Sequence, residues 1–166
     1  MITTNDFCEK VRTSQGTMYA VAYSILHNQH DAEDAISESI VRAFSSLSQL
    51  RDEKTFKPWL LKILHNTCLE MLRKQPATVD IDEQFDLADG FSYQQVNTKL
   101  VLWQAVSQLR QPYQTTVILF YYENLSVQEI AHVTGATVIA VKTQLSRARK
   151  MLKETLKMED FYYESL

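Results

Sequence analysis

The stretch from Thr137 to Lys153 has the residue types and the spacing of a helix that binds DNA. At about 100° per residue its apolar residues share one side, namely Val141, Leu145, Ala148 and Leu152. The opposite side and its flank carry an outward isoleucine with hydroxyl and cationic residues, namely Ile139, Lys142, Thr143, Ser146, Arg147, Arg149 and Lys150. Hydroxyls allow close approach to a major groove, arginine pairs with guanine, and an aliphatic side chain suits a thymine methyl. The pattern predicts a DNA-reading helix; the alternative is a basic, solvated helix of an ordinary bundle.

The residues just before this helix predict its partner in a helix-turn-helix. Ser126 can cap a short helix, and Glu129 follows at the three-residue spacing of a capping box. Gly135 then ends the short helix and supplies the tight turn, so the DNA-reading helix should begin near Thr137 or Val138. Apolar periodicity over 96–109 and from 112 onward predicts two further helices.

The helix predicted from Pro58 to Lys74 has a second face suited to a nucleic-acid strand. Its core face should consist of Leu60, Leu64, Thr67, Cys68 and Met71. A cation, an amide and a guanidinium align on another side, and two aromatic residues stand at the helix start: Lys62, Asn66, Arg73, Phe56 and Trp59. An amide can pair with a base edge, cations bind phosphates, and aromatic rings stack on unpaired bases. The alternative is a solvated helix face with two aromatic core anchors.

The segment from Asp31 to Leu47 predicts an amphipathic helix with an acidic outer side. Asp31 is expected to be its N-cap. The buried stripe should consist of Ala32, Ala35, Ile36, Ser39, Ile40, Ala43 and Phe44. Asp34, Glu38 and Arg42 fall on the other side at i,i+4 spacing, which favours a solvent-exposed, charged face.

Enzyme chemistry has little support in the sequence. His27 and His30 near Glu33 and Asp34 could be imagined as a metal site. The two histidines straddle a predicted turn, however, and the carboxylates fit an exposed helix. Glycine-rich phosphate loops, nucleophile elbows and Cys/His pairings are missing from the sequence. We therefore expect no enzyme activity, no metal and no cofactor.

The charge is divided unevenly along the 166 residues, whose formal net charge is −3. Residues 1–74 are neutral overall, residues 75–100 hold five acidic residues against one lysine, and residues 126–157 have a net charge of +4. Three glycines and three prolines are too few for a β architecture, and 45% hydrophobic residues exclude wholesale disorder. We predict an all-α chain with helical domains at 1–74 and 96–157, joined by an acidic, flexible linker at 75–95. A short helical piece near Glu83–Leu87 is expected in the linker, and the tail at 158–166 has no assigned role.

Three blocks in order resemble the extracytoplasmic-function (ECF) sigma factors of the sigma-70 family. The acidic helix, Asp31-Ala32-Glu33-Asp34-Ala35 with Ser37-Glu38-Ser39, is similar to that family's DAEDLVQE stretch. Phe56-Lys57-Pro58-Trp59-Leu60 with Asn66 and Arg73 resembles its F-x-x-WL…N…R block. Leu125-Ser126, Glu129-Ile130-Ala131, Val141-Lys142-Thr143 and Arg147-Ala148-Arg149 resemble its L-S-x-x-EIA…VKSRLxRAR block.

The resemblance implies a sigma subunit, with a region 2-like bundle and a region 4-like helix-turn-helix. It implies binding of core RNA polymerase through Asp31, Glu33, Asp34, Glu38 and Arg42, whose helix resembles the stretch that grips the β′ clamp. The β flap is a further implied contact of core polymerase. The resemblance also implies that Phe56, Trp59, Lys62, Asn66 and Arg73 melt and read the −10 promoter element, and that the helix from Thr137 reads the −35 element. Its implied partners are core polymerase, promoter DNA and an anti-sigma factor, in some members membrane-anchored. The expected location is the bacterial cytoplasm, in keeping with Asp6 and Glu9 where a signal peptide would be basic and apolar.

Some positions depart from the family pattern. Ile139-Ala140 replaces Gly-Thr, Gln144 replaces an arginine, Glu70 replaces an aspartate and Ser37 replaces a glutamine. The loss of a cation at Gln144 predicts a weaker phosphate grip or a shifted −35 preference. The rival interpretation is a stand-alone helix-turn-helix regulator, which would bind duplex operators without polymerase.

Overall fold

The computed structural model describes the backbone of residues 1–75 and 96–164, and the side chains of 1–75 and 102–157. Within those residues every regular element is a helix or a helical turn, which confirms the all-α prediction. The expected short helix near Glu83–Leu87 lies outside the described residues.

The first domain is a bundle of three helices, α1 (Thr4–Leu26), α2 (Gln29–Ser45) and α3 (Phe56–Lys74), with 3₁₀ turns at Leu47–Gln49 and Glu53–Thr55 between α2 and α3. Thr3 and Asp6 form a capping box at the start of α1. His27, at φ 52°, ends α1, and Asn28 at once caps α2 by accepting from the Asp31 amide at 3.0 Å. The prediction that Asp31 caps α2 was therefore wrong, because Asn28 provides the capping oxygen one turn earlier.

The core of the first domain forms where the three helices face one another. Met18 and Leu26 of α1 are buried together with Leu60 and Leu64 of α3, as the spacing along α3 predicted. Small residues on α2 let the helices approach closely; Ala32, Ala35, Ser39 and Ala43 are all buried. Phe44 was expected in this stripe but is 51% exposed, because its position lies at the edge of the stripe facing solvent.

The second domain contains α4 (Val96–Ser107), α5 (Tyr113–Val117), a π-helical turn (Ile118–Tyr122), α6 (Val127–Thr134) and α7 (Val138–Glu164). Ser126 and Glu129 form the predicted capping box, with bonds of 3.1 and 3.0 Å. Gly135 ends α6 at φ 78°, a left-handed conformation that favours glycine. The helix-turn-helix is thus confirmed. In the segment at 158–166, which was predicted as a tail, the backbone continues as part of α7 through Glu164.

The two domains pack against each other. Helix α3 contacts α6, and α1 contacts α5 and the π-helical turn. This packing buries Leu61 and His65, which lie on α3 outside the core face predicted for an isolated domain. The second domain therefore covers a side of α3 that the sequence pattern left unassigned.

Candidate nucleic-acid interface

The outer face of α7 is as open as the sequence predicts. Val141, Leu145 and Ala148 are buried, so the residues between them turn outward. All seven predicted DNA contacts are exposed: Ile139, Lys142, Thr143, Ser146, Arg147, Arg149 and Lys150. Ile139 is the most open, at 78% exposure, and lies one residue from the start of the helix. An apolar side chain with this exposure is typical of a surface that a binding partner covers.

Arg149 belongs to this exposed set but already has partners inside the domain. Its Nε donates to the Tyr121 hydroxyl at 2.7 Å. Its guanidinium also lies over the Phe120 and Tyr121 rings, with centroid distances of 5.5 and 5.8 Å. These contacts tie α7 to the π-helical turn, so the side chain is engaged before any DNA arrives.

Gln144, which replaces an arginine of the family pattern, also points into the domain. Its carbonyl oxygen accepts from the Thr116 hydroxyl at 2.7 Å, joining α7 to α5. The residue thus supports the packing of the DNA-reading helix rather than adding a charge to it.

The predicted −10 face on α3 is only partly available. Asn66 and Arg73 are exposed, while Lys62 and Trp59 are half-buried. Phe56 is 3% exposed and packs edge-on against Phe7, with 5.9 Å between ring centroids. Phe56 was predicted to contact DNA, but its ring lies in the core and is closed to a base. It instead fixes Trp59, whose ring lies 5.7 Å away.

The acidic face of α2 is exposed at Glu33, Asp34 and Glu38. Asp31 is half-buried and accepts from the Gln75 side chain at 2.6 Å, which ties the end of the first domain back to α2.

The Arg42 guanidinium forms ion pairs with carboxylates on two different helices. It donates to Glu38 on its own helix at 3.0 Å and to Glu70 on α3 at 2.9 Å. The bond to Glu70 is the larger of the causes that raise the pKa of the Arg42 guanidinium above its usual value. Arg42 therefore bridges the acidic helix to the helix of the −10 face.

Family comparisons cover both domains in the order in which they occur. The family model described as Sigma-70 region 2 matches residues 11–78, and Sigma-70, region 4 matches residues 99–152. RNA polymerase sigma factor SigV of Bacillus subtilis (strain 168) is 38% identical over 144 residues, which are 86% of this chain and 86% of SigV. The chain belongs to the ECF group of the sigma-70 family. It is thus a sigma subunit, which directs polymerase to promoters, and the stand-alone regulator is set aside.

Other relatives of this ECF chain support the same family and fold. ECF RNA polymerase sigma factor SigW of the same Bacillus strain is 26% identical over 91% of this chain and 89% of SigW. Among solved structures, the sigma factor RpoE from Bartonella quintana, in complex with the anti-sigma factor NepR, superposes with a TM-score of 0.74 at 22% identity. That likeness covers 93% of this chain and 98% of RpoE, and it establishes the shared fold.

The structure of this sigma factor also adds two exposed apolar residues that the sequence pattern did not assign to a partner surface. Val41 is 62% exposed on α2, about 20° from the direction of Asp34 on the helical wheel and on the side away from Glu38, and Phe44 is exposed on the same side of the helix. A charged outer face interrupted by two open apolar side chains is typical of a surface that becomes covered. The sequence signal was present, because Val41 breaks the polar pattern of that face.

Two further properties of the described residues bear on the chemistry. Among those residues, no group of three or more His, Cys, Asp or Glu side chains could hold a metal ion. None of the helices in the described parts of the chain is long and apolar enough to cross a membrane.

Proposed function

We propose that this sigma factor uses three helices for three separate tasks at a promoter. Helix α7 reads the −35 element, α3 binds the −10 element, and α2 binds core polymerase. The observation that carries the proposal is the outer face of α7, where an exposed isoleucine, two hydroxyls and several exposed cations lie along the second helix of the helix-turn-helix.

On α7 we assign base contacts to Arg147 and Ile139. Both are exposed, and arginine and an aliphatic side chain recognise guanine and a thymine methyl respectively. Thr143 and Ser146 allow the helix to approach the groove, and Lys142 and Lys150 bind phosphates. Arg149 is assigned a positioning role through Tyr121 instead of a phosphate contact.

On α3 we assign the DNA contacts to Trp59, Lys62, Asn66 and Arg73. Asn66 is exposed and can pair with a base edge, while the two cations on either side of it meet the backbone. Trp59 keeps part of its ring open for stacking on an unpaired base. Melting of the −10 element is proposed to use this ring.

On α2 we assign core binding to a mixed acidic and apolar face. It consists of Asp31, Glu33, Asp34, Glu38, Val41 and Phe44, with Arg42 holding the helix in place against α3. Carboxylates around exposed apolar side chains suit a basic partner surface with an apolar centre, and we propose the β′ clamp as that partner.

The second domain carries a surface for a further partner. A groove of about 510 Å³ opens between α4, the π-helical turn and α7, with an apolar lining that includes Leu102, Val106 and Leu152. We propose that the β flap binds in this region. An anti-sigma factor, as RpoE has in its complex with NepR, is proposed as a regulatory partner, anchored in the membrane or free. The proposed location is the bacterial cytoplasm.

The decisive experiment is transcription in vitro with bacterial core polymerase over a promoter library. The chain should give initiation at a defined subset of promoters, and Arg147→Ala should relax the preference at one −35 position by about 1–3 kcal/mol. Arg12→Ala is the matched control, because Arg12 is exposed on α1 and forms an ion pair with Glu9 of the same helix. Failure of folded chain to initiate with any core and promoter would contradict the proposed roles.

A further inference from the structure

A carboxylate lies within the face of α3 to which we assign the −10 element. Glu70 follows Asn66 by four residues and precedes Arg73 by three, so the three side chains are neighbours on one side of the helix. The Glu70 side chain is 44% exposed, which leaves its charge open to an approaching strand. A carboxylate at this place repels phosphates and weakens their binding. The assigned −10 face therefore depends on something that neutralises Glu70.

A cation from α2 lies against this carboxylate. Nη1 of Arg42 donates to Glu70 at 2.9 Å. The same nitrogen donates to the Thr67 hydroxyl of α3 at 3.3 Å, and Nε donates to Glu38 of α2 at 3.0 Å. Three acceptors on two helices fix the planar guanidinium, so its charge stays beside Glu70.

Thr67 makes the position of the guanidinium more definite. This residue is 1% exposed, and its hydroxyl donates to the Ile63 carbonyl, one turn back on α3, at 2.8 Å. With its hydrogen engaged in that bond, the hydroxyl oxygen is left to accept from Arg42. The anchored hydroxyl thus holds Arg42 over α3, on the side where Glu70 lies.

The other charges on the exposed side of α2 also favour a role for Arg42 within the chain. Glu33, Asp34 and Glu38 are carboxylates, and we propose a basic surface of core polymerase as their partner. A basic surface would repel a guanidinium whose charge was not already compensated. The ion pair with Glu70 provides that compensation and directs the cation toward α3.

We propose that Arg42 is a positioning residue for the −10 element: it neutralises Glu70 and thereby allows phosphates to approach Asn66 and Arg73. The inference rests on the proposed function of α3 and deepens it, because it assigns part of −10 binding to a residue of the core-binding helix. It requires Arg42 to become dispensable for −10 binding once residue 70 has no charge.

The test is a double-mutant cycle in the assembled holoenzyme. The full-length chain on bacterial core polymerase is titrated with a fluorescent single strand, which carries the −10 region of a promoter selected in the library experiment. Arg42→Ala should weaken strand binding by about three- to tenfold, because it uncovers a carboxylate beside the phosphates. Glu70→Gln should bind at least as tightly as the natural chain, and the double variant should bind within about twofold of it.

Salt dependence separates a charge effect from a merely structural one. The loss caused by Arg42→Ala should shrink as salt is raised from about 0.05 M to about 0.5 M, because ions screen the repulsion. Arg42→Lys keeps a cation near Glu70 and should bind the strand within about twofold of the natural chain. Arg12→Ala removes an exposed cation of α1 that pairs with Glu9, and as the matched control it should change nothing.

Three results would overturn the proposal. One is strand binding by Arg42→Ala that equals the natural chain, and another is a loss that neither Glu70→Gln nor high salt reverses. The third is a loss of affinity for core polymerase in Arg42→Ala, measured by pull-down, because Arg42 would then be a direct contact with core.

Asn66→Ala separates this inference from the proposed function. If that variant binds the strand as well as the natural chain, the proposed role of α3 at the −10 element fails. If Asn66→Ala weakens strand binding while Arg42→Ala does not, the role of α3 stands and the role of Arg42 fails.

Discussion

Arg149 offers a quantitative test of whether a basic residue on the reading helix serves the fold or the DNA. Replacing it with alanine removes the 2.7 Å bond to Tyr121 and two cation–π contacts. At exposed sites, cation–π contacts contribute about 0.5–1 kcal/mol to stability. The hydrogen bond to Tyr121 contributes a similar amount, because screening by water weakens it. We therefore expect Arg149→Ala to lower the free energy of unfolding by about 1–2 kcal/mol, or Tm by roughly 2–8 °C.

The salt dependence of DNA binding should not change as the charge of Arg149 alone would predict. Fluorescence anisotropy of the full chain with a −35 duplex, measured over a range of salt, gives the slope of log affinity against log salt. Lys150→Ala, which removes a cation for which we propose a phosphate contact, should lower that slope by about 0.9 and leave Tm unchanged. Arg149→Ala should leave the slope unchanged and lower Tm. A lowered slope with unchanged Tm for Arg149→Ala would refute the positioning role.

Three further results are expected. Gly135→Ala should lower the free energy of unfolding by about 1–2 kcal/mol in thermal melts, and Gly135→Asn should lower it by less. The reason is backbone strain at φ 78°, since the space around an added Cβ is open. A Gly135→Ala chain as stable as the natural one would contradict the left-handed turn. Ellman's reagent at pH 8 should react rapidly with Cys8 and with Cys68 only after unfolding, because Cys68 is buried and burial raises its pKa to about 12. Rapid reaction of both thiols in the folded chain would contradict that burial. Burial also lowers the pKa of His65, so the unfolded chain binds more protons below about pH 6.5. Stability should thus fall between pH 7 and pH 5 by up to about 1.4 kcal/mol per pH unit from this group, and denaturant titrations of His65→Gln should show a shallower loss.

The helix-turn-helix was predictable almost to the residue because its signals are local. The capping box of Ser126 and Glu129, the left-handed turn at Gly135 and the start of α7 at Val138 each depend on neighbours within four positions. The apolar side of α7 was equally readable, since periodicity alone decides which side of a helix is buried in a small domain. The relatives and the structure agree with that part of the interpretation.

What sequence reasoning missed depends on residues far apart in the chain. Phe56 is buried because Phe7 packs on it from α1, and Arg149 is engaged because Tyr121 lies across from it. His65 and Leu61 are buried by the second domain, so the helical wheel of α3 could show only the face turned to its own bundle. Tertiary contacts of this kind leave no periodic trace in the sequence.

The bridge from Arg42 to Glu38 and Glu70 has a consequence for building chimeric sigma factors. An aspartate at position 70, as in the family pattern, is one methylene shorter than the glutamate that reaches Arg42 at 2.9 Å here. A helix grafted from another sigma factor would therefore bring a carboxylate that is too short to reach Arg42 at this distance. Positions 42 and 70 should be transplanted as one unit, and in natural relatives they should vary together.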